Sequence, residues 1–179
     1  MTFKPLAIAL AAALAAPFAM GAAQAGDTAA TVRVELKNSA GASAGVATLT
    51  EAPKGVLMRI EARGLAPGWH GLHFHEVGDC SKSDFTSAGG HVHGGADRVH
   101  GLLNPKANEN GDLPNLYADA TGAAMGEVFT TMVSLKSAQG RQSLRDANGS
   151  ALVIHASADD HMAQPIGGAG ARVACGVIK

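Results

Sequence analysis

The sequence lacks most of what marks the commoner partners of a protein. It has no cluster of Lys or Arg, and its 14 basic residues fall to 13 once Lys4 is set aside with an N-terminal leader. Against 15 acidic residues, that is a net charge of −2 for the remainder. Neither nucleic acid nor an anionic membrane is expected as a partner. Beyond residue 25 no apolar run is long enough to span a bilayer, so no membrane association is expected after the leader. Aromatic residues make up 4% and charged residues 16% of the chain, while Gly is abundant at 23. A chain so poor in aromatics and rich in Gly leans towards an all-β fold with many turns. No helical period of convincing length, no internal repeat and no His-Glu-x-x-His zinc motif is present, and there is no recognisable nucleophile–base set. Cysteine is nearly absent: Cys80 and Cys175 are the only two, so the leader carries none for lipid attachment.

The leader is the first thing that is present. Lys4 precedes an uncharged run from Leu6 to Phe18, followed by Ala23-Gln24-Ala25. A positive start, an apolar stretch and a small-residue cleavage site predict a secretory signal over residues 1–25. Residues 26–179 then form one domain, and the protein is expected outside the cytoplasm, in the periplasm. In that oxidising compartment Cys80 and Cys175 are expected to pair, with two buried thiols or a soft Cu(I) site as the alternatives.

Alternation by twos marks the strands. Thr31 to Lys37, Ala44 to Thr50, Val56 to Arg63 and Trp69 to Glu76 are predicted strands, with turns at Asn38-Ser39-Ala40-Gly41 and Pro53-Lys54-Gly55. From Val77 to about Asn115 there is no period, and a loop that long is usually functional or disordered. Strand composition returns over Ala123 to Leu135, Ala151 to Ser157 and Arg172 to Ile178, with a hairpin-type turn at Asn148-Gly149 and a second irregular loop over Asp159 to Gly170.

The chemistry lies in the histidines. His73 and His75 are two apart on a strand, so both rings project to one side, roughly 6–7 Å apart at Cα. His91, His93 and His100 crowd the long loop beside Asp112, and His155 sits in the strand Val153-Ile154-His155. Three or four N/O donors make a metal site, and imidazole suits Cu and Zn. His70 shares a face with Leu72 and Phe74 and is expected to be packed; His161 is expected to be solvated. Met58, Met125, Met132 and Met162 are scattered singly and expected to be packing residues.

Gly71-Leu72-His73-Phe74-His75, Ser87-Ala88-Gly89-Gly90-His91, Gly111-Asp112-Leu113-Pro114, Val153-Ile154-His155 and the closing run Gly167 to Ile178 together resemble a copper–zinc superoxide dismutase of the bacterial, exported kind. The resemblance implies an eight-stranded Greek-key β-barrel or sandwich with Cu and Zn as cofactors and the superoxide anion as substrate, disproportionated to dioxygen and hydrogen peroxide. It leaves a homodimer open. It implies His73, His75, His91 and His155 as copper ligands, with His91 bridging to zinc and taking part in catalysis. His100 and Asp112 resemble zinc ligands, and Asp159 resembles the outer carboxylate that hydrogen-bonds a ligand of each metal. Arg172 resembles the guanidinium that meets the anion, and Cys80–Cys175 the family's disulfide. One position departs: three residues before Asp112, where the family carries a further zinc histidine, stands Glu109. The zinc set expected here is His91, His93, His100 and Asp112, with His93 as the substitute. Glu109 as an oxygen ligand and a weak or empty zinc site are the alternatives. A metal-buffering protein without catalysis would use the same histidines, although it has no need of Arg172.

Overall fold

The computed structural model describes residues 1–2, 30–136 and 140–179. The expected signal over residues 1–25 therefore falls almost wholly outside the described residues. No helix among these is long and apolar enough to cross a membrane.

The alternating segments form the strands they predict. β1 (Thr31–Asn38), β2 (Ser43–Ala52) and β3 (Gly55–Ala62) make an antiparallel meander. Val34, Leu36, Leu49, Met58 and Ile60 point inward, with Arg33, Glu35, Arg59 and Glu61 on the outer face, where they form the exposed pairs Arg33–Glu35 and Arg59–Glu61. The segment expected as one strand over Trp69 to Glu76 is two: β4 (Gly68–His70) and β5 (Leu72–His75). β6 (Leu116–Ala118) and β7 (Ala124–Thr130) follow the long loop, then short parallel β8 (Val133–Ser134) and β9 (Gln142–Ser143), then β10 (Ser150–His155) and β11 (Arg172–Ile178).

The main sheet runs β4-β6-β7-β3-β2-β1-β11-β10-β5. Its two edges, β4 and β5, are consecutive pieces of chain joined at Gly71, so the sheet closes on itself as an eight-stranded barrel. Closure removes the exposed edges of an open sheet. β3 and β7 are neighbours although β4, β5 and β6 lie between them in sequence, which gives the Greek-key connection.

β5 and β10 are buried on both faces. Leu72, Phe74, Leu152 and Ile154 enter the barrel core. On the outside, Ala151, Val153 and Cys175 pack with Phe85 and Ala88 of the long loop. His73 stands opposite Val153, and His75 opposite Ala151, on this outer face. The wall therefore has an apolar lining inside and an imidazole-bearing surface outside, roofed by the aperiodic loop. That loop holds one 3-10 turn, Thr86–Ala88. A Cys80–Cys175 disulfide, 95 residues apart in sequence, ties it to β11. Closing a loop of that length is worth roughly 4–5 kcal/mol by chain entropy.

Candidate metal centre

Four buried histidines converge on the outer face of this wall. β5 supplies His73 and His75; His155 ends β10, on the same side as Val153. His91 is brought alongside by an isolated antiparallel bridge between His75 and His91. Nitrogens of His73, His75, His91 and His155 all lie within 4.8 Å of one another.

The tautomers follow from what each ring touches on its other side. His75 Nδ1–H donates to Gly89 O at 2.9 Å, and His155 Nδ1–H to Gly170 O at 3.0 Å. His73 Nε2–H donates to Asp159 Oδ2 at 2.9 Å. Each neutral ring is left with a lone pair on the opposite nitrogen. Those atoms, His73 Nδ1, His75 Nε2 and His155 Nε2, are buried without a hydrogen-bond partner, and so is His91 Nε2. Four orphaned imidazole nitrogens in a dry cluster would be costly in an ordinary core. As a donor set they fit a copper ion. Burial favours the neutral form: it lowers the His73 pKa to about 4 and that of His155 to about 3, and pushes His75 well below its usual value.

A second group adjoins the first through His91. His91 Nδ1 lies 2.7 Å from Glu109 Oε2 and 3.0 Å from Asp112 Oδ1. His100 Nδ1 meets the same two oxygens at 3.2 and 3.0 Å. Gly101 N–H donates to the other Asp112 oxygen at 2.8 Å. Two imidazole nitrogens and two carboxylate oxygens held this closely are a donor set that suits zinc. Burial lowers the His91 and His100 pKa values, but the hydrogen bonds to Asp112 and Glu109 outweigh it, with Asp159 adding to the effect on His100. The net shift is upward for both, to about 11 for His100. The carboxyls respond in kind. Burial raises Asp112 and Glu109, and the imidazoles pull both net downward. His73 lies within 4.8 Å of His91, His100 and Asp112, but its Nε2 is committed to Asp159 and its Nδ1 belongs to the four-nitrogen cluster.

Asp159 lies between the two groups. One oxygen accepts from His73 Nε2–H at 2.9 Å, the other from His100 Nε2–H at 3.0 Å and from the His161 N–H at 2.6 Å. Gly167 leaves the room this requires: with φ 61°, a Cβ there would lie 1.7 Å from Asp159 Oδ1. Arg172, paired with His155 across β10 and β11, donates to Phe85 O at 2.5 Å and Gly89 O at 2.6 Å.

His93 is not brought to the cluster. Its Nδ1 lies 2.5 Å from Gly95 O and its Nε2 3.2 Å from Glu76 Oε2. The chain turns at Gly94-Gly95, and those two acceptors hold the ring in place. The side chain that does lie beside His91 and His100 is Glu109, which is only 5% exposed. His161, expected to be solvated, is instead tucked beside Asp159, with Nδ1 3.3 Å from Asp159 Oδ2 and Nε2 3.3 Å from Asn115 Nδ2. His70 is buried as expected, with the carbonyls of His155 and Ala66 at its two nitrogens. Of the four methionines beyond residue 25 only Met58 is a core residue; Met125, Met132 and Met162 are exposed. Glu76, which no spacing marked out, meets the loop on either side of His91; its place directly after His75 was the available signal.

Fold and site together define a class: a closed β-barrel carrying two adjoining groups of buried metal-ligating side chains on one outer wall, with His91 and Asp159 between them. Residues 43–178 match the family model described as copper/zinc superoxide dismutase. A superoxide dismutase [Cu-Zn] of Caulobacter vibrioides is 62% identical over 144 residues, 80% of this chain and 83% of that protein. A crystal structure of a single-site variant of a superoxide dismutase-like protein from Bacillus subtilis superposes with a TM-score of 0.77 at 36% identity, covering 83% of this chain and 99% of that one. The Cu/Zn superoxide dismutase from Brucella abortus superposes with a TM-score of 0.68 at 30% identity, over 84% of this chain and 100% of the other. The chain belongs to the copper/zinc superoxide dismutase family. As a member it is an enzyme of the copper–zinc type, with copper and zinc as its cofactors.

Proposed function

We propose that the protein converts two superoxide anions and two protons to dioxygen and hydrogen peroxide. The observation that carries this is the set of four unpartnered nitrogens beside Arg172. His73, His75, His91 and His155 would hold copper, and His91, His100, Asp112 and Glu109 would hold zinc, with Glu109 in the place first assigned to His93. Copper, when bound, supplies one-electron exchange between Cu(II) and Cu(I), and zinc supplies a fixed charge without redox chemistry. His91 faces the carboxylates of Glu109 and Asp112 with Nδ1 and the other histidines with Nε2, and Nε2, when not engaged by a metal, would be the atom that takes up and gives back a proton. Asp159 fixes the rings of His73 and His100 from behind, through their Nε2–H groups. Arg172, held by two backbone carbonyls, keeps a permanent positive charge beside His75 and His155 and orients the anion.

The test is the rate of superoxide decay with metal-reconstituted protein against metal-free protein. Copper-dependent acceleration is expected. Copper binding without acceleration would place the protein among metal-buffering proteins.

The leader composition and the disulfide support a periplasmic location, where such an enzyme would meet superoxide arising outside the cytoplasm. A second copy of the chain is the proposed partner. Trp69, Tyr117, Met125 and Phe129 stand on the outer face of β4, β6 and β7, each more than half exposed. Trp69 and Tyr117 are paired edge to face at 5.0 Å. Together these side chains expose roughly 400 Å² of mostly apolar surface, about half of the ~800 Å² per partner that a stable pair buries. Sedimentation should give a dimer that Trp69→Glu dissociates; a monomeric parent protein would refute it.

A further inference from the structure

The segment carrying His91 is held by a side chain to which the reading above gives no role. We propose that Glu76 is a positioning residue for the metal centre, clamping the Gly89-Gly90-His91 segment on which His75, Arg172 and His91 all depend. The proposal rests on the two-metal reading given above.

Both Glu76 oxygens are engaged. Oε1 accepts the Gly90 N–H at 3.0 Å. Oε2 accepts from Arg98 Nη2–H at 3.0 Å and lies 3.2 Å from His93 Nε2. The Glu76 N–H also donates to Gly90 O at 2.9 Å. One residue therefore grips the chain on each side of His91, at positions 90 and 93. It follows His75 directly, so the clamp is anchored at the end of a core strand. Role and place of His93 are explained together: its ring is a tooth of the clamp.

What the clamp holds gives it functional content. Gly89 O is the common acceptor for His75 Nδ1–H at 2.9 Å and Arg172 Nη2–H at 2.6 Å. Displacing that carbonyl would turn a copper-side ring and move the guanidinium at once. Glu76 and Arg98 lie close against this segment. A Cβ on Gly90 would lie 2.2 Å from Arg98 Nη1, and one on Gly89, at φ 74°, 2.8 Å from Glu76 Cγ. The glycines at 89 and 90 let the Glu76 and Arg98 side chains lie directly against the backbone they hold.

The experiment compares Glu76→Ala, Glu76→Gln and Arg98→Ala with Glu35→Ala, which removes an equal charge from the exposed face of β1. Three readouts are taken: zinc affinity by chelator competition, the Cu(II) EPR spectrum, and azide affinity of the copper–zinc protein as a probe of anion binding. Loss of a direct hydrogen-bonding partner of a ligand costs metal sites about 10–100-fold; Glu76 acts one step further out, through the Gly90 backbone, so Glu76→Ala should weaken zinc binding at the lower end of that range, about tenfold. Azide binding should weaken about tenfold, with altered Cu(II) hyperfine splitting, because ring orientation and Arg172 shift together. Glu76→Gln keeps an acceptor for Gly90 N–H and should recover most of the spectrum and azide affinity, a recovery a merely destabilised fold would not give. Glu35→Ala should change nothing. A parental spectrum and parental azide affinity in Glu76→Ala would overturn the proposal. Arg98→Ala, which removes the guanidinium that holds Glu76 Oε2 at 3.0 Å, should shift the spectrum and azide affinity in the same direction as Glu76→Ala; if Glu76→Ala fails to fold, parental values in Arg98→Ala would overturn the proposal. Failure of the two-metal reading would show separately, as unaltered parent protein lacking copper-dependent superoxide decay.

Discussion

Glu109→Gln is the perturbation that separates the two accounts of the zinc site. The substitution preserves side-chain volume at a position that is 5% exposed, so packing is unaltered and the change is one of charge and donor type. Glu109 Oε2 sits 2.7 Å from His91 Nδ1 and 3.2 Å from His100 Nδ1, within the group that Asp112 completes. Without the carboxylate, three donors remain. Removing even an outer partner of a metal ligand costs 10–100-fold, so loss of a charged ligand should cost at least about 100-fold, or about 3 kcal/mol. His93→Ala removes a ring that lies against Glu76 and the Gly95 carbonyl, but Glu76 keeps its bonds to Gly90 N–H and Arg98, so zinc affinity should change less than about threefold. The assay is competition with a chromophoric chelator, followed by metal analysis after dialysis. Retained zinc in Glu109→Gln together with lost zinc in His93→Ala would refute the reasoning and restore His93 to the site.

Three further outcomes follow from the same geometry. Arg172→Glu should slow superoxide decay by at least about tenfold while copper stays bound, because the anion then meets a negative charge; this is read by decay kinetics alongside metal analysis. The metal-free protein should lose stability as pH falls from about 6.5 to 4. Over that range unfolding lets His73 and His155, lowered to about 4 and 3 in the fold, take up protons, at up to about 1.4 kcal/mol per pH unit each. His100, raised to about 11, works in the opposite sense: its contribution is full below 6.5 and is lost as pH rises towards 11. Urea denaturation of metal-free protein between pH 4 and 8 checks this, and a flat profile below 6.5 would contradict it. Cys80→Ser should lower stability by roughly 4–5 kcal/mol, from the 95-residue separation it unties. Denaturant midpoints with and without reductant give that difference, and reductant should have no effect on the variant.

Periodic information in the sequence translated well into structure. The alternation in residues 31–37, 44–50 and 56–63 gave the β1–β3 meander, because a one-residue slip there would turn Val34, Leu49 and Ile60 out of the core. His73 and His75 could be placed on one face for the same reason. The break of the fourth strand at Gly71 was hidden, since hydrophobic alternation runs through it while the hydrogen-bonding partner changes from β6 to β10. β6 was missed because three residues are too few to show a period. Within the long loop, side-chain direction is set by tertiary contacts. A third imidazole would keep the ligand chemistry the resemblance implies, which pointed to His93 as the zinc donor, but the acceptors that hold it elsewhere, Glu76 and Gly95 O, come from a strand end and a turn. Glu109 reaches His91 across a bridge between His93 and Glu109 that only the folded loop creates.

The central claim is that two metal ions share the ring of His91. Loading copper into both sites and recording the EPR spectrum tests it directly, because two Cu(II) ions joined through one imidazolate couple magnetically and two independent ions do not. The account predicts a strongly diminished low-temperature signal in the two-copper protein, and a full single-copper signal once zinc occupies the site of His100, Asp112 and Glu109. An EPR intensity equal to two uncoupled copper ions would contradict it.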